Sequence, residues 1–174
     1  MTPADFVWRV LEPGLALLPR NMDSPEARVF LVAAGGQESH WRFRRQIGGG
    51  TAHSYYQLEG KGGAVEEVLT SRGTAVHAVA ACRALDIEPT LEEVYEAIVY
   101  CDALATVIGR LIPWLEPAPL PAIGDVDGAW ACYERLWKPG RPAPERWPAC
   151  YSAALAAFQT PPQAPVLASL PSLP

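Results

Sequence analysis

Helix-start signals recur along this chain and constrain its fold more than any other feature. They lie at Thr2-Pro3-Ala4-Asp5, Ser24-Pro25-Glu26 and Thr90-Leu91-Glu92-Glu93. In each of them, a serine or threonine that can cap a helix precedes a proline or an acidic residue, both of which are favoured in the first turn. Apolar residues at helical spacing follow all three signals. We therefore predict an all-α domain over residues 1–159.

The remaining helices are predicted from apolar residues spaced three or four positions apart. We expect helices over residues 64–69, 74–85, 127–137 and 148–158, and one long helix from Thr90 that ends at Pro113. Pro13-Gly14 should interrupt the first helix, and Gly35-Gly36 should loosen the end of the second. Glycine clusters on both sides of residues 52–58 predict a small β or irregular lip there.

Residues 160–174 differ in composition from the rest of the chain. They are uncharged and rich in proline, which predicts an extended arm rather than a packed helix. Leu167, Leu170 and Leu173 are spaced by three and could seat in a groove. The arm either folds back on its own domain or docks on a partner protein, and we favour the partner.

Size and charge limit the functions open to the chain. Its 174 residues suit one compact domain, and its net charge of −5 argues against electrostatic binding of nucleic acid or anionic membranes. The apolar stretch from Val107 to Trp114 contains Arg110 and Pro113, so it is too short and too charged to cross a bilayer. No basic and apolar leader opens the chain, so we expect no signal peptide.

The four cysteines show no paired CxxC spacing, which gives a zinc site little support. Their apolar neighbours suit buried free thiols in a reducing cytoplasm, although an even count leaves disulfides open. We expect neither a metal nor a cofactor.

The most informative motif is Gln37-Glu38-Ser39-His40-Trp41, followed nineteen residues after Glu38 by Gln57 in the stretch Tyr55-Tyr56-Gln57-Leu58. Glu38 is predicted at the end of a helix, where the negative end of the helix dipole disfavours ionisation. Burial against neighbouring aromatic rings would raise its pKa further, as a general acid at neutral pH requires. The alternative is an ordinary helix-end carboxylate whose pKa is lowered by salt bridges to Arg42, Arg44 or Arg45.

This pattern resembles the lysozyme-like superfamily, especially its branch of soluble lytic transglycosylases and goose-type lysozymes. In that branch Glu-Ser ends a helix and, after a loop, Gly-Leu-Met/Trp-Gln-Leu/Phe lines the cleft. The resemblance implies a lysozyme-like fold with a single catalytic residue, Glu38. Its carboxyl group would protonate the oxygen between N-acetylmuramic acid and N-acetylglucosamine. In a transglycosylase it would then deprotonate the muramoyl 6-hydroxyl, which forms an anhydro sugar.

The same resemblance implies the surroundings of the catalytic carboxyl group. Ser39 would hydrogen-bond the carboxylate, and Gln57 would line the sugar cleft. Tyr55 and Tyr56 would stack on pyranose rings. Tyr100, in a segment similar to an Ala-Tyr-Asn-Ala-Gly motif, would pack on the catalytic glutamate. These five residues are the substrate-binding residues that the resemblance implies.

Other residues permit less specific interpretations. Ser54 stands where the family has glycine, and Cys101 stands where it has asparagine. Glu59 is a possible second carboxylate, but a solvated loop position is the simpler interpretation. The aromatic residues around Pro139-Gly140 are expected to form a local core, with a sugar-binding platform as the alternative. They are Trp130, Tyr133, Trp137, Trp147 and Tyr151.

We predict cleavage of peptidoglycan glycan strands by a lysozyme or lytic transglycosylase. The region from Gln37 to Glu59 is similar in style to proteins of tailed bacteriophages, in which such domains are carried by the virion. The protein would be made in the host cytoplasm and reach the wall in a virion, or through the periplasm, without a signal peptide. Its partners would be glycan strands and virion proteins bound through residues 160–174. The alternative is a structural virion protein, of the tail or the head–tail junction, that keeps the fold without the reaction.

Overall fold

The computed structural model describes residues 1–159, most of which lie in α-helices. In chain order these are α1 (Pro3–Phe6), α2 (Glu12–Leu15), α3 (Pro25–Ser39), α4 (Ala64–Thr70), α5 (Arg72–Ala84), α6 (Leu91–Ala97), α7 (Asp102–Trp114), α8 (Val126–Trp137) and α9 (Trp147–Ala157). The predicted all-α class is confirmed for this part of the chain. The arm predicted over residues 160–174 lies outside the described residues.

The three predicted helix starts are capped as their sequences indicated. Thr2 and Asp5 form a reciprocal capping box at the start of α1. Ser24 caps α3 and Thr90 caps α6, and each side chain accepts a hydrogen bond from a first-turn amide. These contacts satisfy amide groups that the first turn of a helix leaves without an intrahelical partner.

The long helix predicted from Thr90 to Pro113 was wrong, because the chain forms two helices there. The axes of α6 and α7 differ in direction by 116°. Asp102, which begins α7, accepts two hydrogen bonds from Arg44, at 2.6 and 2.8 Å. A tertiary contact with a residue between α3 and the lip thus anchors the second helix start. Pro113 lies inside the last turn of α7 rather than ending it.

The predicted interruption at Pro13-Gly14 was also wrong. A π-helical turn over Val7–Leu11 joins α1 directly to α2, and within it the amide of Glu12 bonds to a carbonyl five residues back. A Cβ atom on Gly14 would lie only 2.4 Å from the Cβ atom of Thr106 in α7. Gly14 therefore allows α2 to approach α7 closely instead of breaking the helix.

The centre of the fold is α7, in which every residue from Leu104 to Pro113 is buried. It packs against α2, α4, α5 and the π-helical turn, while α9 packs along α3. Within the described part of the chain, no single helix has the length and hydropathy that a membrane span needs. Among the described helices, only the bent pair of α6 and α7 has both when the two are taken together.

Gly35 and Gly36 make room for aromatic rings rather than loosening the end of α3. A Cβ atom on Gly36 would lie 2.3 Å from Cζ2 of Trp41, and one on Gly35 would lie 2.8 Å from Cζ of Phe6. The indole of Trp41 folds back over the last turn and donates a hydrogen bond from Nε1 to the carbonyl oxygen of Val32, at 2.8 Å. The two glycines thus allow α3 to run unbroken to the residues of the motif.

We expect Gly36→Ala to destabilise the protein by about 2 kcal/mol, because the new methyl group must displace the indole of Trp41 and break its hydrogen bond. The measurement is the free energy of unfolding by chemical denaturation. Gly73→Ala in α5 is the matched control, because a Cβ atom there meets nothing within 4 Å. It should stabilise the protein slightly through helix propensity. A stabilised Gly36→Ala variant would contradict this account of Trp41.

Candidate active site

An open groove of about 780 Å³ runs between the end of α3, the lip and the segment that follows α8. Residues from these three parts and from α8 line it, including Glu38, Gln57, Glu59, Tyr133, Trp137 and Arg146. Of the six residues predicted for the site, the groove brings together Glu38 and Gln57. They lie far apart in sequence and on different elements, so this meeting is a product of the fold.

Glu38 occupies the last turn of α3, as its sequence position predicted. His40, the residue that follows α3, adopts a left-handed conformation with φ of 53°. The amides of His40 and Trp41 bond back to the carbonyls of Gly36 and Gly35. A left-handed residue whose amide bonds four residues back is the αL type of helix end, which turns the chain sharply and holds the last turn in a defined position. The side chain of Glu38 thereby faces the groove from a rigid helix end.

The two carboxyl oxygens of Glu38 have different surroundings. Oε1 accepts a hydrogen bond of 2.5 Å from the hydroxyl group of Tyr133. Oε2 accepts no hydrogen bond from any described residue, and it is not sealed from solvent. When the group is protonated, the hydroxyl of Tyr133 favours the proton on Oε2, since Oε1 already accepts a bond. The acidic proton then faces the groove.

Burial raises the pKa of Glu38 from its ordinary value of 4.5 to about 7, in the direction that the sequence predicted. The hydrogen bond from Tyr133 and the charge of Arg146 act in the opposite sense, but their effect on the pKa is smaller. Desolvation penalises the charged form of a carboxyl group, whereas a donor or a cation stabilises it. The balance leaves a substantial protonated fraction at neutral pH, which general acid catalysis requires.

The alternative interpretation of Glu38 as an ion-paired surface residue was wrong. Among the described residues, no basic group lies within salt-bridge distance of its carboxyl group. Arg44 pairs with Asp102, and Arg45 pairs with Glu96. Arg44 and Arg45 are therefore paired with other carboxylates, and Arg42 lies over the ring of Phe43, which allows burial to dominate the pKa of Glu38.

Tyr133 is held in place by stacked aromatic rings. Its ring centroid lies 5.8 Å from that of Trp137 and 5.0 Å from that of Trp147, with both pairs stacked. The indole Nε1 of Trp137 donates to the carbonyl oxygen of Tyr56 at 3.0 Å, which ties α8 to the lip. The expected aromatic core is present, and one side of it also forms a wall of the groove. The sequence prediction missed Tyr133 as a partner of Glu38.

Tyr133→Phe should raise the pKa of Glu38 above about 7, because it removes the hydrogen bond that stabilises the carboxylate. Hydrogen bonds to charged groups contribute about 1.5–3 kcal/mol, which corresponds to a rise of at least about 1 pH unit. The chemical shift of the Glu38 carboxyl carbon, followed by NMR against pH, measures it. Tyr151→Phe is the control, because its hydroxyl accepts from Gly124 and does not contact Glu38. An unchanged or lower pKa in Tyr133→Phe would contradict the role of the hydroxyl group.

The predicted roles of the two adjacent tyrosines were wrong. Tyr55 and Tyr56 are 2% and 0% exposed, so their rings cannot stack on a sugar. Both make edge-to-face contacts with Phe6. The hydroxyl of Tyr56 hydrogen-bonds Thr106 in α7, at 3.3 Å. Both rings point into the core, where they fill the space between the lip and α7.

Ser39 and Tyr100 do not surround the catalytic carboxyl group as the resemblance implied. The hydroxyl of Ser39 donates to the carbonyl oxygen of Gly35 at 2.9 Å and is buried within the helix end. The side chain of Tyr100 is 74% exposed, and it lies in the bend between α6 and α7, away from the groove. Tyr133 occupies the place beside Glu38 that was assigned to Tyr100.

Gln57 reaches the groove through a tight turn. Ser54 and Gln57 both have positive φ angles, of 68° and 49°. Nε2 of Gln57 donates to the carbonyl oxygen of Ser54 at 2.8 Å, which fixes the side chain against its own turn. Ser54 thus keeps the left-handed conformation that glycine adopts most easily, although its side chain makes that conformation less favourable.

The rim of the groove is mainly basic. Its charged residues are Glu38, Arg45, Glu59, Lys138, Arg141 and Arg146. Among the described residues, no group of three metal-binding side chains is present, and the four cysteines are free thiols. The groove therefore suits a ligand that carries some negative charge, on which a protein side chain acts as the acid catalyst.

No family model, no curated protein and no solved structure matches this chain. The resemblance to the lysozyme-like superfamily therefore stays a prediction, and the function is inferred from the groove itself.

Proposed function

We propose that this protein cleaves the glycan strands of peptidoglycan, with Glu38 as the single general acid. One observation carries the proposal. A largely buried carboxyl group with a pKa of about 7, which forms no ion pair within the described part of the chain, faces a groove open enough for a chain of sugars. General acids in glycosidases need this combination of a raised pKa and access to substrate.

In the first step, the proton on Oε2 of Glu38 passes to the oxygen that bridges two sugars. The bond between that oxygen and the anomeric carbon of the muramoyl sugar breaks, and positive charge develops on the ring. Glu38 becomes a carboxylate, which the hydrogen bond from Tyr133 and the nearby charge of Arg146 stabilise. The same contacts that moderate its pKa thus support its charged state during the reaction.

In the second step, the carboxylate of Glu38 acts as a base. It accepts the proton of the muramoyl 6-hydroxyl while that oxygen attacks the anomeric carbon, which yields an anhydro sugar and restores the acid. If water takes the place of the hydroxyl, the product is an ordinary reducing end. Neither route requires a second carboxylate, although Glu59 lines the same groove.

Delivery by a bacteriophage virion, and contact with virion proteins through residues 160–174, belong to the same proposal. A non-catalytic virion protein is the second candidate. It is favoured by the burial of Tyr55 and Tyr56 and the exposure of Tyr100, which remove the aromatic contacts expected of an active cleft.

The test is a dye-release assay with the full chain on purified peptidoglycan, followed by mass spectrometry of the products. Release of soluble glycan supports the proposal, and anhydro-muramic ends distinguish a transglycosylase from a hydrolase. A correctly folded protein that releases no soluble glycan at any pH from 5 to 8 would support the non-catalytic role. This range extends roughly one pH unit or more on either side of the pKa of Glu38.

A further inference from the structure

Arg110 is a buried cation in the second half of α7, and it does not line the Glu38 groove. Its side chain is only 4% exposed. Nε donates a hydrogen bond of 2.6 Å to the carbonyl oxygen of Met22. Burial lowers the pKa of Arg110 to about 10, so the guanidinium group is still charged at neutral pH. A buried charge of this kind normally has a counter-ion.

No such counter-ion is present within residues 1–159. Arg28, Arg44 and Arg135 each pair with a carboxylate, whereas Arg110 makes no ion pair with any residue from 1 to 159. Asp23 is the acidic residue whose charge acts on Arg110, but its carboxylate is bound by Arg28 at 2.6 Å. The terminal nitrogens Nη1 and Nη2 of Arg110 donate no hydrogen bond to the described chain and are not sealed from solvent. The four N–H groups on these nitrogens therefore have no acceptor among the described residues.

Arg110 lines a second groove, of about 660 Å³. Its size lies in the range of about 300–1,000 Å³ that is usual for small-molecule sites. The ring of Trp114 lies over the guanidinium group, with 5.1 Å between the carbon Cζ and the ring centroid. Pro113, Pro119 and Leu120 supply further apolar wall. The groove combines one unpaired cation with an apolar surface beside it.

Two carboxylates on the rim limit the charge of the ligand. Glu116 is bound by Arg135 at 2.9 Å, and Glu26 is hydrogen-bonded to Ser24 at the start of α3. The single positive charge of Arg110 can be matched by a ligand with one carboxylate. A second anionic group on the ligand would meet these acids and be repelled.

We propose that this groove binds a small monocarboxylate with an apolar body. The carboxylate accepts paired hydrogen bonds from Nη1 and Nη2 of Arg110, and the apolar body lies against Trp114. Glu26 lines this groove and lies twelve residues before Glu38 on α3, which is about 18 Å along the helix. The site is thus separate from the Glu38 groove, and it does not depend on the function proposed there.

The test is an NMR titration of the full chain with 3-phenylpropionate and, separately, with its uncharged amide. We expect saturable shifts of the Arg110 Nε–H and Trp114 indole signals with the acid, and a raised melting temperature in its presence. The amide should produce neither change. Equal responses to acid and amide, or no saturable shift with the acid, would overturn the proposal without the need for any variant.

Variants then assign the contact. Arg110→Met should abolish the response of Trp114 to the acid, and Arg110→Lys should weaken it, because lysine keeps the charge but loses the paired donors. Arg141→Met is the matched control, because this exposed arginine lies on the other groove. Unchanged binding of the acid by folded Arg110→Met would refute the role of Arg110.

Discussion

Glu38→Gln should reduce the release of soluble glycan from purified peptidoglycan by about two to four orders of magnitude, the usual contribution of a general acid. Glutamine keeps the size of the side chain and can still accept the hydrogen bond from Tyr133, but it has no proton to give to the bridging oxygen. The measurement is the initial rate of dye release at equal concentrations of folded protein, at a pH below the pKa of Glu38.

Glu59→Gln is the matched control for this experiment, because it removes a carboxylate from the same groove at an exposed position. We expect it to retain most of the activity. Equal rates in the wild type and Glu38→Gln would reject the role of Glu38. Loss of activity in Glu59→Gln alone would instead identify Glu59 as the reacting carboxylate.

Glu38→Gln should also make the protein more stable at alkaline pH, by about 3 kcal/mol. The pKa of Glu38 is about 7 in the folded protein, against an ordinary value of 4.5. Each unit of that difference corresponds to about 1.4 kcal/mol. Because the folded state binds the proton more tightly than the unfolded state, the wild type loses stability as pH rises from about 4.5 to about 7. Glutamine cannot ionise, so the variant avoids this loss.

The measurement is the free energy of unfolding of both proteins at about pH 4 and pH 8, which lie on either side of the two pKa values. Near pH 4 both side chains are neutral and the two proteins should be similar in stability. At pH 8 the variant should be the more stable one. A difference that does not change with pH would show that Glu38 has an ordinary pKa. Such a result would remove the main support for acid catalysis.

Much of the local structure could be predicted from the sequence, because it depends on neighbouring residues. The capped starts of α1, α3 and α6 are examples, since a cap and the amide it satisfies lie within one turn. The position of Glu38 at a helix end is another. The break between α6 and α7 could not be predicted in this way, because apolar spacing continues across it and Arg44, far away in sequence, anchors the new helix.

The surroundings of Glu38 were harder to predict than its position. Tyr133 lies ninety-five residues away in sequence, in an aromatic segment that suggested only a core. One signal was present, since a tyrosine buried among tryptophans needs a partner for its hydroxyl group. For Tyr55 and Tyr56 the error was the reverse, since they were predicted to line the groove and lie in the core. An aromatic ring next to a motif can face either one.

The sequence by itself determined the helical class, the helix starts and the carboxyl group at the end of α3, since short-range hydrogen bonds and apolar spacing specify them. Only the tertiary structure decided which groups surround that carboxyl group. The burial of Glu38, its contact with Tyr133 and the lack of an ion pair with any described residue all depend on distant segments that pack together. The pKa of a side chain follows from the solvent and charges around it in space, so its chemistry is settled when the chain has folded.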